Sequence, residues 1–251
     1  VISISGNTIE TLNVLKSAKV LNCNIVAFSS GGKMQEFCTK HNVEFHMIKK
    51  THSPRTSFVT YVYSLLKILK QLLPLTENDI VESISVLEDT QKLINSKNLS
   101  ETNTSIILSQ KISDIPLIYY PHGLEAAAIR FKSSLQENAK SHVIIEDIIE
   151  SCHNGIVAWE KPSLLHPILI QGSDDYFKTK ERWQILKKYF DENNIKYFDI
   201  FSTNGNILSK LIDLIYRLDY VTIYKAISSE IDPSTIRSID FVKNHLDSTL
   251  E

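Results

Sequence analysis

Residues 1–15 read VISISGNTIETLNVL. The first five are apolar apart from Ser3 and Ser5, as a strand buried within a parallel sheet would be. From Ile9 the period changes: Ile9, Leu12, Leu15, Ala18 and Leu21 recur at helical spacing. A strand that runs through a glycine and a group of hydroxyls into a helix is the first half of a strand–helix–strand unit. Its loop lies at the helix N-terminus, where unpaired N–H groups and the helix dipole favour an anion. Gly6 lets the backbone approach a ligand, and Ser3, Ser5 and Thr8 can each donate to a phosphate oxygen. The same residues have a plainer use, with Asn7 or Thr8 as a helix cap and serines that end a strand. No lysine stands in the loop, so the pattern of a nucleotide P-loop is absent.

Outward from this stretch the alternation continues. CNIVAFSS (23–30) reads as a strand, GGKMQEFCTKHN (31–42) as a short helix and VEFHMIKK (43–50) as a strand. SPRTSFVTYVYSLLKILKQLL (53–73) reads as a longer helix with Pro54 in its first turn. From about 74 to 110 the chain is polar, helical in period and rich in turns, as connecting helices and a linker would be. A second alternation follows over 111–251. IPLIYYP, HVIIEDI, HPILIQG and IKYFDIFS read as strands separated by helical segments, and DPSTIRSIDFVKNHL closes as a helix that starts at Asp232–Pro233. The fold class is α/β. It comprises two doubly wound units with parallel sheets flanked by helices: 1–73, a connector at 74–110, and 111–251. A doubly wound unit has a strand and helix ahead of such a loop, so the first unit reads as incomplete at its N-terminus.

Composition narrows the chemistry. Apolar residues make up 43% of the 251, enough for a real core, and the formal charge is -2 with no long basic block. Nucleic acid is therefore not expected as a partner. Cys23, Cys38 and Cys152 are scattered, without metal-ligand spacing, which points to a reducing, cytoplasmic setting and to no metal site. Apolar runs such as YVYSLLKILKQLLPL are broken by Lys and Gln short of a membrane span.

SISGNTIET closely resembles the phosphate-loop signature of sugar isomerase (SIS) domains. SSGGK (29–33), PRTS (54–57), QENAK (136–140) and CHNGIVAWE (152–160) follow in order, and YKAISSEIDPSTIRSIDFVKNHL closes the set. Together they resemble the bifunctional phosphoglucose/phosphomannose isomerase family through both halves of the chain. The resemblance implies further residues ahead of Val1, including a glycine/serine-rich loop that touches substrate. It also implies a cofactor-free aldose–ketose isomerase that interconverts glucose 6-phosphate, and mannose 6-phosphate, with fructose 6-phosphate. A SIS-type phosphosugar-binding regulatory module, or a catalytically incomplete fragment, is the alternative.

The resemblance also distributes roles. Ser3, Ser5 and Thr8 hold the substrate phosphate. Glu137 moves a proton between C2 and C1, work that suits a partly buried carboxylate. His153 opens the sugar ring in the active site of a neighbouring subunit, which implies a homodimer with shared sites; imidazole suits proton transfer near neutral pH. Arg55 steadies the enediolate, a task for a permanently charged planar donor. On the residues alone, Glu137 could be a solvated helix-end carboxylate, His153 a polar cap and Arg55 an exposed helix-start cation. A lysine of the C-terminal helix completes the set. Tyr224 stands at the matching position and Lys225 one step of about 100° away, so either occupies it. Cys152 beside His153 reads as packing rather than as a nucleophile.

Overall fold

A computed structural model describes residues 1–113 and 115–248. The chain divides into two units, Val1–Leu75 and Thr76–Glu251.

In the first unit, α1 (Ile9–Val20), β1 (Val26–Ser29), α2 (Gly32–His41), β2 (Glu44–Met47) and α3 (Phe58–Leu69) follow in order, with a 3-10 turn at Arg55–Ser57 before α3. β1 and β2 pair in parallel, Val26 opposite Glu44 through Ser29 opposite Met47. Residues 1–4 lie on the other side of β1. The Phe28 N–H donates to the Val1 carbonyl, Ser3 N–H to Phe28, and Ser30 N–H to Ile4. This short ladder, centred on a parallel Ile2–Phe28 bridge, is what remains of the strand expected over 1–5, because the chain turns away at Ser5–Gly6. Side chains of β1 alternate between two faces. Ala27 packs with Leu12, Leu15, Met34 and Cys38 of α1 and α2, whereas Phe28 packs with Ile48 and with Tyr61 of α3. Helices thus cover both faces.

The second unit begins with α4 (Glu77–Ile94) and α5 (Thr104–Lys111). A capping box starts α4: Thr76 Oγ1 accepts from the Asp79 N–H, and Asp79 accepts from the Thr76 N–H. Next come β3 (Ile115–Tyr120), α6 (Glu125–Ala139), β4 (Ile144–Asp147), α7 (Ile148–Ser151) and a 3-10 segment at Gly155–Glu160. Then β5 (Leu165–Gln171), α8 (Phe177–Glu192), β6 (Phe198–Phe201), α9 (Ile207–Ser228) and α10 (Arg237–Ser248) complete the described chain. The strands lie in the order β4-β3-β5-β6, all parallel. Leu117 and Tyr119 of β3 and Leu169 of β5 form one core with Trp159 and with Trp183, Leu186 and Phe190 of α8. Within it the Trp159 indole N–H donates to the Tyr119 hydroxyl at 2.9 Å.

Two expectations shift here. Of residues 74–110, read from sequence as a connector, all from Thr76 onward belong to the second unit, where α4 and α5 pack on α9. Thr90 donates to Asp213 at 2.8 Å, Ser105 to the Arg217 carbonyl at 3.0 Å, and Tyr224 to the Ile94 carbonyl at 2.8 Å. The last helix starts at Arg237 rather than at Asp232–Pro233. Asp232 Oδ1 instead accepts from both the N–H and the hydroxyl of Ser234, which closes a turn that competes with helix.

α6 and α9 run side by side in the same direction. Arg130 grips Asp219 with two nitrogens, Ser134 donates to Asp219 at 2.6 Å, and Asn138 donates to Thr222 at 2.8 Å. Among the described residues no helix is long and apolar enough to cross a membrane.

Candidate active site

In the first unit the Ser3–Thr8 loop leaves the C-terminal end of its strand and interlocks with Ser29–Lys33. Gly6 has a φ of +70°, and a Cβ there would lie 1.8 Å from the Gly31 carbonyl oxygen. Gly32 also has a φ of +70°, and its Cβ would meet the Ser5 carbonyl at 2.6 Å. Only glycine allows this contact. The Lys33 N–H donates to Asn7 Oδ1 at 3.0 Å and the Met34 N–H to the Gly6 carbonyl at 2.9 Å.

Asn7 therefore serves α2, not α1. Thr8 is the N-cap residue of α1, yet its side chain accepts no capping hydrogen bond. It faces Ser3 instead, hydroxyl to hydroxyl at 3.0 Å. Ser3 is 5% exposed and also accepts from the Gly6 N–H at 3.1 Å. Ser3 shapes the loop from within, while Ser5 and Thr8 are exposed. The cap reading thus lacks its bond, and the first turn of α1 keeps the donors that suit an anion.

Arg55 is half-buried in the turn that follows β2, at the same carboxyl edge of the strands as the two loops. Hydroxyls hold that turn: Ser57 is fully buried and donates to the Ser53 carbonyl at 3.2 Å, and Thr51 and Ser57 meet at 2.8 Å.

In the second unit Glu137 lies in the last turn of α6 and is half-buried. The 15 residues of α6 cover about 22 Å. They carry the chain back from the carboxyl end of β3 to the edge where β4 begins. Lys225 reaches the same edge in the last turn of α9. It stands three residues beyond Thr222, which bonds Asn138, and so shares the helix stripe that faces α6. The Tyr224 phenol is committed elsewhere, donating to Ile94 and accepting from Asn103.

His153 lies at the opposite edge. It follows β4 and α7, is exposed, and its N–H donates to the Glu150 carbonyl at 2.9 Å. Within this unit, then, Glu137 and Lys225 share one edge of the sheet while His153 stands at the other. Cys152 packs against the aromatic core, and burial pushes its thiol up, away from the reactive thiolate.

Sequence reasoning did not single out Glu146, at the carboxyl end of β4. Its Oε2 is buried with no hydrogen-bond partner among the described residues, and a Cβ on Gly155 would lie 2.5 Å from it. A glycine two residues after His153 was the available signal. Burial raises the Glu146 carboxyl above its ordinary 4.5. In the unfolded chain it ionises first, so as pH rises above 4.5 the folded state holds the extra proton and loses stability. Glu146→Gln is accordingly expected to raise the melting temperature at pH 7–8 by an amount that fades towards pH 4. Thermal melts across that range check it; a pH-independent difference would contradict the assignment.

The geometry defines a class before it defines a family. The solved tagatose-6-phosphate ketose/aldose isomerase of Escherichia coli matches with a TM-score of 0.70, over 94% of this chain and 70% of that one, at 12% identity. That likeness establishes the α/β fold alone. The family described as bacterial phospho-glucose isomerase C-terminal SIS domain matches residues 101–246. The bifunctional phosphoglucose/phosphomannose isomerase of Caldicellulosiruptor bescii is 30% identical over 254 residues, covering 97% of this chain and 74% of that protein. The protein of the same name from Aquifex aeolicus is 26% identical over 254 residues, covering 98% and 74%. The chain belongs to the bifunctional phosphoglucose/phosphomannose isomerase family.

Proposed function

We propose that the chain is a cofactor-free aldose–ketose isomerase that interconverts glucose 6-phosphate and mannose 6-phosphate with fructose 6-phosphate. The observation that carries this reading is the likeness to bifunctional phosphoglucose/phosphomannose isomerases along 97% of the chain. The uncapped, hydroxyl-lined start of α1 supports it as a phosphate anchor. Ser5, Thr8 and the loop N–H groups bind the phosphate, with Ser3 ordering the loop.

His153 opens the ring by passing a proton to the ring oxygen as the C1 hydroxyl loses one. In the open chain Glu137 takes the C2 proton as a carboxylate. The C2–H electron pair becomes the C1–C2 double bond, and the carbonyl oxygen gains negative charge. Arg55, and Lys225 from the helix end, stabilise that charge. The C2 hydroxyl gives its proton to the C1 oxygen, Glu137 returns its proton to C1, the C2 oxygen becomes the carbonyl, and the ketose forms. Glucose and mannose phosphates differ only at C2, which is planar in the enediolate, so one intermediate serves both.

The opposite placement of Glu137 and His153 supports a homodimer in which each site takes Glu137 from one chain and His153 from the other. A coupled assay with both aldose phosphates tests the activity. Formation of fructose 6-phosphate from each is expected; phosphosugar binding without turnover would favour a regulatory binding module. Ser5→Ala or Thr8→Ala is expected to raise KM about tenfold or more, since a hydrogen bond to a charged phosphate contributes about 1.5–3 kcal/mol. Initial rates check this, and an unchanged KM would reduce the loop to a structural turn.

A further inference from the structure

The residue that ends α6 has the wrong identity for its backbone. Lys140 is the C-cap of the helix that carries Glu137, with φ 56° and ψ 29°, in the left-handed region. A lysine is strained there, and glycine is the usual solution at such a helix end. Its side chain bridges two backbone carbonyls. The ammonium donates to the Glu137 carbonyl at 2.5 Å and to the Thr235 carbonyl at 2.7 Å. Thr235 belongs to the Asp232–Thr235 turn, which Asp232 and Ser234 close and which leads into α10. On the neighbouring position Asn138, 5% exposed, fastens the same helix turn to Thr222 of α9.

We propose that Lys140 is a positioning residue for the isomerisation: its ammonium clamps the backbone of Glu137 to the turn ahead of α10, so that the last turn of α6 holds its carboxylate at a fixed height. The proposal rests on the reading of Glu137 as the proton carrier. Two arguments favour the clamp over a simple helix end. An end would be better served by glycine, so the strained lysine persists for what its side chain does. Both bonds are also exposed to water, where such contacts add little to global stability. What remains for them is local geometry, and a misplacement of about 1 Å in a reacting group costs about 100-fold in rate.

The test uses the full natural protein and four variants: Lys140→Gly, Lys140→Met, Lys140→Arg and Glu137→Gln. Lys140→Gly relieves the strained backbone and removes the clamp, and Lys140→Met keeps the stem without the donor. Both are expected to lower kcat about 10- to 100-fold, with KM for the phosphosugar unchanged and, for Lys140→Gly, a melting temperature equal to or above the parent's. Lys140→Arg, which can still reach two carbonyls, is expected to recover most of kcat. Parent-like kcat in Lys140→Gly would overturn the clamp. So would a loss of kcat that tracks a fall in melting temperature, since that is a helix-end effect. If Glu137→Gln itself turned over normally, the proton-carrier reading would fall first and take the clamp with it. A dead Glu137→Gln beside a fully active Lys140→Gly would remove the clamp alone.

Discussion

Glu137→Gln is expected to lower kcat by about 10²- to 10⁴-fold, the range that a positioned general base contributes, while KM and competitive inhibition by phosphorylated sugar acids stay near the parent values. Gln keeps the shape of the side chain and loses the basic oxygen, so the variant tests proton transfer rather than packing. In the proposed mechanism Ser5, Thr8 and the N–H groups of the first unit anchor the phosphate, so binding should survive the loss of the base. In free-energy terms the variant removes an interaction made in the transition state and not in the ground state. A Gln variant within a fewfold of the parent kcat would end the assignment.

Gly6→Ala is expected to produce the largest loss of structure from a single methyl group. The added Cβ would sit 1.8 Å from the carbonyl oxygen of Gly31, a backbone atom with no side-chain rotamer to yield. The positive φ adds strain of its own. Because the Ser29–Lys33 loop is braced on Gly6 and Asn7, relief of the clash separates the two loops. Destabilisation on the order of 3 kcal/mol or more is expected, together with loss of phosphosugar binding. Gly123 provides the control: a Cβ there meets nothing within 4 Å, so Gly123→Ala should leave both properties intact. Thermal melts and a binding titration read the outcome. A Gly6→Ala protein that melts and binds like the parent would show that the loops do not interlock.

The strands and most helices were legible because each carries its own signal. Short runs rich in β-branched and aromatic residues, such as Ile115–Tyr120, read as buried strands, and the period of Phe177–Glu192 is a helix's own. What was not legible depends on distant partners. The stretch at 74–110 reads as a linker because it is polar, yet Thr90 is 7% exposed and bonds Asp213, 123 positions away. The start of α10 was misplaced because Asp232 closes a turn on Ser234 where a helix cap was expected. Site chemistry divides in the same way. That Glu137 ends a crossover helix while His153 follows a strand can be read from the order of elements, and it already puts them at opposite edges of a parallel sheet. The burial of Glu146 and the left-handed backbone of Lys140 leave no mark in composition or period. The sequence pattern likewise leaves no mark of where Asn7 and Thr8 direct their side chains, to Lys33 and to Ser3 rather than to the first turn of α1.

The central claim is that turnover needs Glu137 from one chain and His153 from another. Mixing two inactive variants, Glu137→Gln and His153→Ala, in the full natural protein measures this most directly. If the chain forms the homodimer proposed above, unfolding and refolding together makes about half of the dimers mixed. Each mixed dimer carries one site with both defects and one with neither, by the symmetry of an isologous pair. Roughly a quarter of the parent's glucose 6-phosphate isomerase activity per site should therefore return. Verified mixed dimers that stay silent, while the refolded parent recovers, would contradict the shared site.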